Sequence, residues 1–488
     1  MKKEGRENPK SASKMPDKIF SAGSQSTALK REVGLVSSVC LIAGTMIGSG
    51  IFMSPVWVLY YMGSPGASLL IWAASGVLSM LGGLCYVELG SIIKESGGNY
   101  IYLFRNIGSF PAFLYIYTTL ILTGPSETAA VALSFARYVV VPFYVGCAPP
   151  QVVVKCVAAI CIIVVNIINC FNVKLATSTQ NVFTAAKILA LCLILVGGVV
   201  VLISGQTENL QNAFQNTAVG FGPVGLAFYQ ALWAYDGWNM LNNVTEEVKR
   251  PEKTLPRAIL IAVPMVTFLY VMVNVSYFAV MTTNEFLISG AAAVTWGRKI
   301  LGIWMWVIPV SVAMSTFGTL NGGTFMGGRI CYVAAREGHL PHLLSMVHVK
   351  RLIPSPSLIF KAVLALCMII PGDFVSIVNY CSFTTWLSTG LTIAGLLKIK
   401  IMQPDHPHSY KVPIIVPVIL LIASVYLVLA PIIENPQIEY LYAVLCILSG
   451  IFLYIPLIHL KFVPNVLSKI TLHLQLLMQV APAAKNID

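Results

Sequence analysis

Charge is what this chain of 488 residues has least of. Only 10% of its residues are Asp, Glu, Lys or Arg, against 57% hydrophobic, and a mean hydropathy of +0.79 is one that no soluble globular protein of this size shows. A water-soluble fold is excluded. Enzyme signatures are missing as well: the chain holds no Walker loop, no HExxH and no CxxC pair, so no enzymatic activity, cofactor or metal is expected and no step can be driven directly by ATP. No linker rich in Gly, Ser or Pro divides the apolar region, which is read as one domain, 33–462, between cytosolic tails 1–32 and 463–488. The start, "MKKEGRENPKSASKMPDKIF", lacks an apolar h-region, so a solvated tail is expected there rather than a cleaved signal peptide.

What remains is a series of apolar runs of about 20 residues, each long enough to cross a hydrocarbon core about 30 Å thick as a helix. The spans read 33–60, 67–92, 110–140, 152–170, 180–204, 222–246, 256–281, 303–332, 357–371, 376–399, 413–433 and 438–462. The fold class is therefore all-α integral membrane with twelve transmembrane helices. With the N-terminus in the cytosol, all but Arg137, Lys155, Lys187, Arg298 and Lys299 of the 31 basic residues fall in cytoplasmic tails, loops or adjoining helix ends, as the positive-inside bias requires. The net charge of +12 thus reports topology and anionic lipid contact, and no nucleic-acid partner is expected. All of the 11 cysteines except Cys147 fall in or at the edge of apolar spans, where Cys serves as a small hydrophobe. Cys147, in "PFYVGCAPP", lies in a loop placed outside the cell with no second loop cysteine to pair with; it is either a free thiol or bonded to another chain. The sequons at Asn243 and Asn274 fall inside spans six and seven, beyond luminal glycosylation.

Two spans are interrupted. "LIAGTMIGSGIF", 41–52, places Gly44, Thr45, Gly48, Ser49 and Gly50 in the first, and "ALWAYDGWNMLN", 231–242, places Asp236, Gly237 and Asn239 in the sixth. Mid-membrane breaks are tolerated only where the freed backbone is buried in protein or lines a cavity. Breaks five helices apart are the pattern of two inverted five-helix repeats; a GSG used only for close helix packing is the alternative. Unwinding at Gly48-Ser49-Gly50 leaves unpaired N–H groups suited to a carboxylate, and the preceding half-helix ends in carbonyls, Met46 among them, suited to an ammonium group. The pair fits the two charges of an α-amino acid.

Asp236 either binds a cationic side chain or caps a helix restarting at Gly237. Lys187, in "NVFTAAKILAL", lies about 12 Å along span five; it either snorkels to the cytosolic surface or sets a fixed ammonium against the broken helices. Glu127, after Pro125 in span three, has no partner visible in the sequence. Glu88 reads as interfacial, near the cytosolic end of span two. Trp233 is either a lid over a substrate or a core aromatic.

"GTMIGSGIF", "FTAAK", "LWAYDGWNMLN" with the following "VTEE", and "FYVGCAPP" together resemble the light subunits of the heteromeric amino acid transporters, within the amino acid, polyamine and organocation superfamily. The similarity runs from about residue 30 to 475 and points to the branch that exchanges cystine and dibasic amino acids for neutral ones, or its aromatic-preferring relative. The resemblance implies a LeuT-like fold of inverted five-helix repeats with helices 1 and 6 broken, sodium-independent exchange by alternating access at the plasma membrane, and a disulfide from Cys147 to a single-span heavy-subunit glycoprotein. It implies that the substrate carboxylate meets Ser49, Gly50 and Ile51, with Thr45 beside them, and the amino group carbonyls of Met46 and Trp233. It further implies that Trp233 acts as gate, that Asp236 and Asn239 recognise the side chain, and that Lys187 stands in for sodium. The chain departs from the cystine branch in helix three, where Gly124-Pro125-Ser126-Glu127 replaces a lysine before the proline. A proton-coupled symporter using Glu127 or Asp236, and an amino acid sensor without flux, are the competing readings.

Overall fold

The computed structural model describes residues 33–482 except 96, 145–146, 172, 206, 352, 404–409, 435 and 457–464; the expected tail 1–32 lies outside the described residues. Nearly all of what is described is helix, since a backbone in lipid must satisfy its own N–H and C=O groups. The first span is two helices, α1 (Leu35–Met46) and α2 (Gly50–Met62), bent by 50° where they meet. Gly63, at φ +71, ends α2 in the left-handed turn that glycine enters freely. Ser64 starts α3 (Pro65–Ile92), its hydroxyl accepting the Ala67 N–H at 3.4 Å with Pro65 in the first turn, which satisfies donors the helix itself cannot.

After α4 (Gly98–Asn106) and α5 (Ser109–Thr118), a π-helical stretch, Thr119–Thr123, leads into α6 (Gly124–Val140). α7 (Gln151–Phe171) and α8 (Val173–Ile203) follow. The sixth span is α9 (Phe221–Ala234), irregular backbone over 235–239, and a 3-10 helix, Met240–Glu247. Then come α10 (Pro251–Val280), the short α11 (Thr283–Leu287) and α12 (Ala292–Leu301), α13 (Val307–Arg336), α14 (Ser355–Ile369), α15 (Phe374–Met402), α16 (Ile415–Glu434) and α17 (Ile438–Tyr454). Asp373 caps α15, accepting N–H groups of Val375 and Ser376 at 2.8 and 3.2 Å.

Among the described residues, five helices are long and apolar enough to cross a membrane, and the bent α1–α2 pair makes six if it is one span; α14 and α17 are shorter apolar helices. The chain is a helical, multi-pass membrane protein. Val196, Val200, Phe268, Ile422 and Phe452 are exposed on the outside, a surface that only lipid covers without penalty. Inside, small residues let helices approach closely: Gly76 and Gly83 of α3 lie against Thr267 and Ile259 of α10, and Gly198 of α8 lies against Ser276 of α10.

Glu88, in the last turns of α3, has partners of its own. It is wholly buried, 2.6 Å from the Lys400 ammonium of α15, and accepts the Val412 N–H at 3.1 Å. A carboxylate with a cation and an N–H donor to itself is satisfied without water. The C-terminal segment read as a tail also carries structure: α18 (Asn465–Met478) precedes a strand, β2 (Val480–Pro482), which pairs antiparallel with β1 (Met346–His348) in the loop between α13 and α14.

Candidate functional site

The two interruptions meet. Gly237, at φ +112, brings its Cα so close to the first break that an added Cβ would stand 2.8 Å from Thr45 Cγ2 and 3.2 Å from the Met46 N. Gly50 is pressed against the Ala234 backbone with no room for a Cβ, so α2 and α9 run in contact from the break outward. The GSG is therefore both a break and a packing contact. Gly48 faces Thr319 of α13, where a Cβ would meet Thr319 Cγ2 and Oγ1 at 3.3 Å. Glycine here serves close approach rather than flexibility.

At the start of α2 the Ser49 carbonyl accepts the Phe52 and Met53 N–H groups at 3.2 and 3.1 Å. The N–H groups of Ser49, Gly50 and Ile51 have no backbone acceptor among the described residues, and Ser49 places no side-chain cap on the helix. They are the free donors of a helix N-terminus at mid-chain, with the positive end of the helix dipole behind them. Thr45 is committed elsewhere, its hydroxyl donating to the Leu41 carbonyl at 2.7 Å.

The opposite pole is more crowded than the sequence suggests. Tyr270 of α10 donates its hydroxyl toward both the Met46 carbonyl at 2.6 Å and the Ala234 carbonyl at 3.0 Å. It therefore ties the two helix ends together, and the Met46 carbonyl meets an ammonium group only with its second lone pair. A tyrosine in the apolar run "VTFLYVMVN" was the available signal, since a buried phenol must find a partner. Lys187, 1% exposed, donates its ammonium to the Gly44 carbonyl at 2.9 Å. It reaches the last turn of α1 and does not snorkel to the surface.

Asp236 is exposed while Ala234, Tyr235, Gly237 and Trp238 around it are buried, so the second break opens at Asp236, whose side chain accepts the Gly237 N–H. The helix does not restart at Gly237. It resumes as a 3-10 turn at Met240, with Asn239 in the capping position but making no side-chain cap, which leaves the Asp236 capping reading without its helix. Trp233 is half-buried and its ring stands edge-on to Phe374, the first residue of α15, centroids 6.3 Å apart. Glu127 interacts electrostatically with Asp236 and with Lys361 of α14. Lys361 lies against Gly124 of α6 and Gly327 of α13.

Below the breaks, Asn242 donates to the Tyr86 carbonyl at 2.8 Å and the Tyr102 hydroxyl at 2.7 Å, with the Trp238 ring 4.9 Å from that of Tyr86. The start of α1 is held to the end of the 3-10 segment by a bridge between Val33 and Val248, with the Lys249 N–H on the Val33 carbonyl at 2.9 Å. Cys147 is exposed and bonds to no other cysteine among the described residues. Asn274 of the second sequon is buried, its amide donating to the Tyr270 carbonyl at 2.8 Å.

Residues 33–454 match the amino acid permease family. The chain is 47% identical over 470 residues to the human b(0,+)-type amino acid transporter 1, covering 96% of each, and 48% identical over 464 residues to its mouse counterpart, covering 95% of each. It is 42% identical over 424 residues to the rat large neutral amino acids transporter small subunit 2, across 86% of this chain and 80% of that one.

Proposed function

The chain belongs to the amino acid permease family, and from that membership we propose that it is a sodium-independent exchanger of cationic amino acids, cystine and large neutral amino acids at the plasma membrane. The observation that carries the reading is the meeting of the two breaks: unpaired N–H groups at Ser49, Gly50 and Ile51 on one side, and the Met46 carbonyl and the end of α9 at Trp233 on the other. A carboxylate on the first and an ammonium on the second suit both charges of the zwitterion with backbone dipoles alone. Asn239 and Asp236, on the irregular backbone beyond α9, face the side chain. Lys187 on the Gly44 carbonyl puts a fixed cation where a sodium-driven carrier needs an ion, which supports sodium independence.

The wider architecture follows from the same reading: twelve spans with both termini cytosolic, arranged as inverted repeats. Its support is that α2 packs on α9, α3 on α10 and α6 on α13, so corresponding members of the two halves face one another across the site. Trp233 and Phe374 form an outer gate, while Asn242 with Tyr86 and the Val33–Val248 bridge close the cytosolic side. Alternating access opens one set at a time. The relatives include a "small subunit", and the exposed thiol of Cys147 fits a disulfide to a single-span heavy subunit.

Counterflow in proteoliposomes tests the function. Labelled arginine or leucine is expected to accumulate only when unlabelled amino acid is trapped inside, equally with and without sodium. Accumulation in empty vesicles driven by a sodium or proton gradient would sink the exchange reading.

A further inference from the structure

Three ionisable side chains that no gate or backbone grip uses converge beside the second break. Glu127 follows Gly124 by three residues on α6, and so shares its face one turn on. Lys361 comes from α14, outside the pair of broken helices. Its stem passes Gly124, whose added Cβ would lie 3.6 Å from Lys361 Cε. Its ammonium fills the place a Cβ would occupy on Gly327, and donates to the Gly323 carbonyl of α13 at 3.2 Å. Two helices thus forgo side chains where one lysine lies between them. Glu127 and Lys361 are half-buried and Asp236 is exposed; Glu127 interacts electrostatically with both of the others.

We propose that Lys361 is a specificity-determining residue of the side-chain subsite: it neutralises Glu127, so that Asp236 alone presents net charge to the side chain of the bound amino acid. One net negative charge accepts a cationic side chain, yet leaves a large neutral one free of a second carboxylate that it could not satisfy. Without Lys361 two carboxylates would face the side chain. Without Glu127 the lysine would repel a cationic side chain. This rests on the exchange reading above.

The test is the arginine-to-leucine ratio of kcat/KM in counterflow, measured for wild type, Lys361→Met, Lys361→Arg, Glu127→Gln and the Lys361→Met/Glu127→Gln double variant. Lys361→Met is expected to raise the ratio on the order of tenfold and Glu127→Gln to lower it by a similar factor, the scale of one unit charge a few ångströms away in a partly hydrated site. The double variant restores charge balance and returns the ratio to within about twofold of wild type, while Lys361→Arg leaves it there. A purely structural lysine would lower the amount of folded protein without moving the ratio. An unchanged ratio in Lys361→Met, or a double variant as low as Glu127→Gln alone, overturns the proposal. Should Lys361→Met not accumulate, the Glu127→Gln and double variants decide it in the same way. Failure of the exchange reading looks different: wild type itself then shows no counterflow with any amino acid.

Discussion

Asp236 and Glu88 are both acids inside the membrane domain, and their surroundings give them opposite work. Glu88 has its cation at 2.6 Å and an N–H donor besides, so it is a structural member of the α3–α15 contact. Replacing it by Gln leaves the Lys400 ammonium buried without its counter-charge and is expected to destabilise the protein by about 3 kcal/mol, read as a lower melting temperature in detergent with arginine-to-leucine selectivity unchanged. Asp236 is exposed. Asp236→Asn is expected to reduce arginine kcat/KM roughly 30-fold, the scale of about 2 kcal/mol for a lost charge partner, with leucine much less affected and the melting temperature close to wild type. Equal losses for arginine and leucine would remove Asp236 from side-chain recognition. The sequence signals both acids alike, because a carboxylate in an apolar run announces only that it has a partner. Which partner depends on contacts across 312 positions, from Glu88 to Lys400.

The broken helices show at the level of elements how far local chemistry reads. Both interruptions are legible, since Gly48-Ser49-Gly50 and Asp236-Gly237 are residues a lipid-facing helix would not carry. The boundary is one residue off, because Gly50 already belongs to α2: its N–H is unpaired but its backbone is helical. The restart of the sixth span at Met240 rather than Gly237 is not legible, as it depends on the Gly237 backbone being pushed into positive φ against Thr45. Three glycine substitutions separate packing from breaking. Gly34, with open space around it, should tolerate Ala without loss of folded protein. Gly48→Ala should cost less than Gly50→Ala, whose Cβ has no room beside the Ala234 backbone and is expected to destabilise by about 1–3 kcal/mol. Thermal unfolding of the three in detergent gives the order, and a Gly50→Ala as stable as Gly34→Ala would contradict the contact. Tyr270→Phe removes the hydroxyl that holds the Met46 and Ala234 carbonyls; a destabilisation of about 1–3 kcal/mol is expected, with transport slowed for all substrates alike.

For the whole molecule, hydropathy announces the membrane and the arrangement of helices supplies what it cannot. Lys187 and Lys361 both lie in apolar spans, yet one sits on the Gly44 carbonyl and the other between α6 and α13. Only the reach of Lys187 from α8 to the end of α1 and the packing of α14 on α6 place them there. The proposed disulfide of Cys147 would join the chain to a larger assembly. Cys147→Ser is expected to abolish a high-mass band on non-reducing gels of membranes co-expressing a heavy subunit, and to leave counterflow of purified protein in vesicles within about twofold of wild type, since the thiol is exposed and bonds to no other cysteine among the described residues. A high-mass band that persists would place the bond elsewhere.

The central claim is that the two chain interruptions together hold an amino acid by its charged ends. An arginine-bound cryo-EM map of the assembled transporter tests it most directly. The carboxylate is predicted within hydrogen-bonding distance of the Ser49, Gly50 and Ile51 N–H groups, the amino group at the end of α9, and the guanidinium toward Asp236. Density for arginine away from these segments, or a first and sixth span continuous in the bound state, would contradict the account.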